Sequence, residues 1–359
     1  MHIMLSKIKI IAVKIFMLSL FHLKILKILN PIFNNYYLSR KYNRGIVFPY
    51  IRKRIARNVQ ILTYHRVNDD NDPFFTGTPI GTFEKHMKYL SNNFSVISLE
   101  SVVESMQSND VPHNAIAVTF DDGYKDVYLN AYPILKKFSI PATVFLATSC
   151  IDSKDILWHD RVFSAFRETQ ESFLVAYGPY TQTYSLGSVT ERLRAQQDVL
   201  RFLRTLDSDE RIQWLECLTA MLLPEVSQSC SEMMLTWEDI KVMYTNNITF
   251  GSHTVTHPIM SKISHDQAMW EICESKSIIE QRLGSPVRTF AYPNGKAGDF
   301  DHTTKALLQE AGYICAVTTI FGANECGHDL FALHRGQPWE ADLPSFATKM
   351  SWYKFVHSS

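Results

Sequence analysis

Six residues with the composition of a buried strand, Ala115-Ile116-Ala117-Val118-Thr119-Phe120, run directly into Asp121-Asp122-Gly123. A chain that buries such a strand must place both carboxylates at its carboxyl end, where parallel α/β folds gather their active sites, and Gly123 lets the backbone turn away. Two ionised carboxylates this close repel, so something cationic has to offset them.

A partner for the acids stands far downstream. Ile248-Thr249-Phe250-Gly251-Ser252 is another strand-like run, and it delivers His253 and His257. On one helical turn, positions i and i+4 face the same way. Two imidazoles and one carboxylate make a three-ligand site with coordination positions left open for water and substrate. Adjacent acids cannot both point at one ion with equal ease. The reading is therefore Asp122, His253 and His257 on the metal, with Asp121 kept as the general base. The plainer alternative makes Asp121 and Asp122 helix caps and the histidines surface or core residues.

Thr119-Phe120-Asp121-Asp122-Gly123 and His253-Thr254-Val255-Thr256-His257 resemble the first two motifs of the polysaccharide deacetylases, the NodB-type fold of carbohydrate esterase family four. The resemblance covers about Val59 to Arg335. It implies an α/β fold, a distorted (β/α) barrel, and metal-dependent removal of N-acetyl groups from sugars. It also implies the roles given above for Asp121, Asp122, His253 and His257. Arg288-Thr289-Phe290-Ala291-Tyr292-Pro293-Asn294-Gly295 resembles the third motif, with Ala291 where the family's base-steadying arginine usually stands and Asn294 where a tyrosine usually follows the proline. Tyr292, Pro293 and Asn294 are expected at the substrate, the backbone near Asn294 as an oxyanion donor. Leu333-His334 looks like the last motif, which makes His334 the candidate general acid. On an alternating strand, Arg335 is the other residue that can point inward. Asp329 and Arg335 are a candidate salt bridge supporting the base.

The catalytic body is read as 58–359, opening with the strand Val59 to Val67. Its Tyr64-His65 also looks like the family's opening strand and brings His65 to the barrel mouth. From Cys150 to Glu232 the alternation of strands and helices lapses, and the segment reads as an α-helical insertion. Within it Trp158, His159 and Asp160 are candidates for the cleft, the indole of Trp158 suiting a sugar ring.

Charge divides the chain sharply. The 36 basic and 36 acidic residues balance overall, yet residues 1–60 hold seven Lys and five Arg with no acid, a charge of +12, leaving 24 − 36 = −12 for the rest. Residues 1–57 read as a basic amphipathic segment. Between Met1 and Lys27 the longest uncharged run, Ile15 to Leu23, is far short of the ~20 residues needed to span a bilayer, and no small-residue cleavage site follows. Attachment to an anionic membrane surface is expected, against a helix docked on the body or an uncleaved signal anchor. The cytoplasmic face is favoured over an extracytoplasmic position, because six cysteines without CxxC spacing read as free thiols.

Zn is the expected metal, with Co, Ni, Mn or Fe also compatible with two nitrogens and a carboxylate. The expected partner is an N-acetylated glycan, an N-acetylhexosamine unit of a polysaccharide or lipid-linked precursor. Nucleic acid is not expected and no obligate protein partner is inferred. Rival readings are an O-acetyl esterase, an aminosugar deformylase, or a non-catalytic glycan-binding protein on the same fold.

Overall fold

The computed structural model describes residues 58–176, 182–222, 233–338 and 340–352. The basic segment 1–57 lies outside them. Seven strands form one parallel sheet: β1 (Gln60–Tyr64), β2 (Ser95–Val96), β3 (Ala115–Phe120), β4 (Ala142–Leu146), β7 (Ile248–Ser252), β8 (Thr289–Ala291) and β9 (Cys315–Val317). The order β1-β3-β4-β7-β8-β9, with β2 beside β3, curls the sheet around its interior. β3 is buried along its whole length, as a strand covered on both faces must be. Helices such as Ile80–Asn93 and His265–Leu283 cover the outer face.

Closure is made by a segment that pairs only at isolated points. Leu333 bridges β9 at Val317, and Gly336 bridges β1 at Leu62. Phe331 to Arg335 is thus not a continuous strand: Leu330–Ala332 is a 3-10 turn, and extended backbone follows it. This irregular stave makes the barrel a distorted one and brings Arg335 to the interior.

The segment read as an insertion is only partly helical. Trp158–Glu168 is followed by an antiparallel hairpin of β5 (Phe173–Ala176) and β6 (Gln182–Ser185), then by helices Val189–Leu203 and Ser208–Leu222. These elements share a separate apolar cluster that includes Val162, Phe166, Leu203 and Leu218. Phe74 and Phe75, from the loop after β1, join that cluster and tie the insertion to the barrel.

Candidate active site

β1, β3 and β7, with β4 between the last two, end at the same edge of the sheet, so a residue just beyond each of the three reaches the same cavity. That cavity has a volume of about 590 Å³ and is lined by His65, Asp121, Asp122, His253 and His257. The two adjacent acids face different partners. Asp122 takes the left-handed conformation, φ 75°, which turns its carboxylate away from that of Asp121.

Asp122 Oδ1 stands 3.4 Å from Nε2 of both His253 and His257. One donor atom from each of the three lies within 4.8 Å of the others, and all three residues are buried. The histidines converge by a turn rather than by the helical spacing expected. Residues 253–259 are irregular, and Thr254 and His257 have φ of 70° and 60°. Glu271, fully buried on the helix behind, clamps this turn by accepting from the N–H groups of Val255 (2.7 Å) and Thr256 (3.0 Å). Sequence reasoning missed Glu271, although an acid on the inward face of an amphipathic helix was a usable signal.

The donor chemistry fits a cation. His253 Nδ1 lies 2.7 Å from the Ala291 carbonyl, which can only accept, so the ring donates there and its neutral form presents the Nε2 lone pair. Nε2 and Asp122 Oδ1 are then two acceptors aimed at each other, an arrangement that needs a proton or a metal ion between them. His257 Nδ1 is buried without a hydrogen-bond partner among the described residues. Burial works against the charged form of all three groups. The imidazole contacts nevertheless hold Asp122 well below the ordinary carboxylate range, and Asp122 lifts His253, while His257 stays depressed.

Asp121 has a different environment. Arg335 Nη1 donates to Oδ1 at 2.8 Å and Nη2 to Oδ2 at 2.7 Å, both partners being almost fully buried. Arg335 also donates to Thr119 Oγ1 at 3.1 Å and, through Nε, to the Thr318 carbonyl at 2.7 Å. Burial would raise the Asp121 carboxyl; Arg335, aided by His253 and His65, overcomes it and lowers the pKa. His65 Nε2 is 3.8 Å from Asp121 Oδ2, and its side chain is 40% exposed to the cavity.

Several expectations are corrected. Arg335, expected as an inward residue that could meet substrate, is committed to Asp121 and does not line the cavity, and Asp329 pairs with Lys305 at 2.7 Å instead of with Arg335. His334 does not line the cavity: its ring packs on His328 at 4.6 Å, on the other side of the stave, because Arg335 takes the inward position. Trp158 is 8% exposed in the insertion's core, its indole under the Arg211 guanidinium, while its neighbours His159 and Asp160 do line the cavity. Tyr292 and Asn294 line it as expected, although the Tyr292 hydroxyl is committed to the Phe331 carbonyl at 2.9 Å. Pro293 is buried and accepts the Gly295 N–H at 2.7 Å, shaping the turn that presents Asn294.

The sequence profile of the polysaccharide deacetylase family matches residues 108–316. A Bacillus subtilis relative, YxkH, named for the same family, is 22% identical over 288 residues, 80% of this chain and 73% of that one. A Staphylococcus aureus poly-beta-1,6-N-acetyl-D-glucosamine N-deacetylase is 27% identical over 116 residues, 32% of this chain and 39% of the staphylococcal protein. Among solved structures, the Streptococcus pyogenes deacetylase PplD in complex with acetate aligns with a TM-score of 0.55 at 20% identity, over 82% of this chain and 97% of that one. IcaB from Ammonifex degensii aligns with a TM-score of 0.54 at 17% identity, over 83% and 97%. At these identities the two structures establish a shared fold.

Proposed function

Because the chain belongs to the polysaccharide deacetylase family, carbohydrate esterases that hydrolyse N-acetyl amide bonds, we propose that it removes the acetyl group from an N-acetylhexosamine unit of a polysaccharide or a lipid-linked glycan precursor. The observation that carries this reading is the unequal treatment of two adjacent acids, Asp121 by a guanidinium and Asp122 by two imidazoles. Asp122, His253 and His257 would hold a divalent cation, zinc being the first to test. Such an ion supplies Lewis acidity, polarising the amide carbonyl and easing the deprotonation of water.

The protein's own groups do the rest. Asp121 accepts the proton of the attacking water, and Arg335 holds both its oxygens so that one lone pair is aimed into the cavity. The backbone N–H of Asn294 faces the developing oxyanion. His65 donates a proton to the departing amine as the C–N bond breaks, leaving acetate and a free aminosugar. His65 replaces His334 in this role because it faces the cavity beside Asp121.

The absence of the family's usual arginine at Ala291 favoured a non-catalytic glycan-binding protein. Arg335 removes that ground by reaching the same carboxylate from the closing stave. The polymer for which the staphylococcal relative is named supports N-acetylglucosamine units. We place the basic segment 1–57 on an anionic membrane surface, which favours a lipid-linked or membrane-proximal glycan. The test is acetate release from N-acetylglucosamine oligomers and lipid-linked N-acetylaminosugars by metal-loaded protein, with Asp121→Asn alongside. Release that vanishes in the variant supports the reading. Release only from O-acetyl or N-formyl sugars would replace it with an esterase or a deformylase.

A further inference from the structure

The cavity contains more charge than the hydrolysis uses, and apart from Asp160, fully buried against the Tyr124 hydroxyl, the unmatched charge on its wall is positive. Arg66, on its wall, is held by Asp126 at 2.9 Å, and Glu340 is matched by Lys349 at 2.7 Å. Asp121 is matched by Arg335 at 2.7 Å. Arg204 and Lys296 also line the cavity, and neither has an ion-pair partner among the described residues. Arg204 closes the insertion helix Val189–Leu203, and Lys296 stands on the turn after β8, so two separate elements each bring one cation to the same opening. The opposing charge they share is Asp299, whose field reaches Arg204 and whose Oδ2 accepts the backbone N–H of Lys296 at 2.9 Å. One carboxylate does not match two cations, and on a concave surface the surplus faces whatever enters.

We infer that Arg204 and Lys296 form an anion-recognising rim, so that the aminosugar turned over carries a phosphate or a carboxylate on the N-acetylated unit or one linkage from it. The inference rests on the deacetylase reading and narrows its substrate class. A bidentate guanidinium and a mobile ammonium suit phosphate or carboxylate oxygens, and each such hydrogen bond contributes about tenfold in affinity.

Three glycosides test it: neutral methyl N-acetylglucosaminide, N-acetylglucosamine 1-phosphate, and the methyl glycoside of N-acetylglucosaminuronic acid. Kd is measured by calorimetry on metal-loaded full-length Asp121→Asn, and KM and kcat on the active protein. At least one charged glycoside should bind about tenfold or more tighter than the neutral one, the advantage lying in KM. Arg204→Ala with Lys296→Ala should erase it while leaving the affinity for the neutral glycoside unchanged, which also shows that the variant is folded. The charged glycoside that is preferred identifies the group read. Equal binding of all three, or a preference that survives the double substitution, overturns the inference. If no glycoside releases acetate, the deacetylase reading fails, and the calorimetric comparison still decides whether the rim exists.

Discussion

Arg335 and Asp121, 214 positions apart, meet through two parallel hydrogen bonds of 2.8 and 2.7 Å at the wall of the cavity. The geometry joins the irregular last stave to the carboxyl end of β3, so one ion pair serves both barrel closure and the orientation of the proposed base.

Replacing Arg335 by Met separates the two roles. A buried carboxylate left without its partner costs about 3–5 kcal/mol, and denaturant unfolding at pH 7 should show a loss of that order. With Arg335 present, the folded Asp121 pKa lies below its unfolded value. The pair therefore stabilises the fold above the unfolded pKa, and this contribution is lost as pH falls through the folded one. Without Arg335, burial raises the carboxyl, and the acid limb of kcat/KM should move to higher pH. A limb that stays in place would mean that Asp121 is not the base.

The lowered Asp122 carboxyl and the two imidazoles lead to a prediction about metal content. Asp122→Asn, His253→Ala and His257→Ala should each lower bound metal and acetate release together, by roughly 100-fold or more. Glu271→Gln keeps all three ligands yet weakens the clamp on the turn that presents His257. Metal affinity should fall about 10- to 100-fold, as when other groups that orient ligands are removed. Titration of zinc against a competing chelator measures both effects.

How much of this was legible follows from the range of each signal. The Asp121-Asp122-Gly123 and His253-to-His257 motifs are local, and local pattern located the acids and histidines that the fold brings to one cavity. Arg335 against Asp121 could not be ranked above His334, because the choice depends on the phase of a stave that is hydrogen-bonded only at isolated points and has no alternating pattern to read. Trp158 failed as a cleft residue for a related reason: the apolar core of the insertion, assembled from Phe74 to Leu222, is invisible to any short window. The convergence of His253 and His257 was foreseen but ascribed to a helix, whereas left-handed residues held by Glu271 produce it.

His65 and His334 give opposite expectations for the proton donor. His65→Ala should lower kcat by about 10²–10⁴-fold, the usual contribution of a positioned acid or base. His334→Ala removes a half-buried ring packed on His328, its pKa lowered to about 4 by burial and by His328, and activity should stay within a few-fold of the parent. Steady-state kinetics on one N-acetylated oligomer compares them directly. The reverse ranking would return the role to His334.

Asp160 tests the burial of charge beside the ligands. It is fully buried, and both its oxygens accept from the Tyr124 hydroxyl, at 2.9 and 3.0 Å. Burial first, and the neighbouring Asp122 second, raise its pKa from 3.8 to about 8. An acid raised on folding costs stability progressively as pH climbs from its unfolded pKa to its folded one, and the full cost applies above about 8. Asp160→Asn keeps an acceptor for Tyr124 and cannot ionise. Metal-free Asp160→Asn should therefore melt near the parent at pH 4 and above it at pH 9, the gap widening steadily between. Thermal unfolding followed by circular dichroism across that range measures it. A gap that does not change with pH would mean that Asp160 holds its charge at little cost, and that a positive group among the neighbouring side chains offsets it.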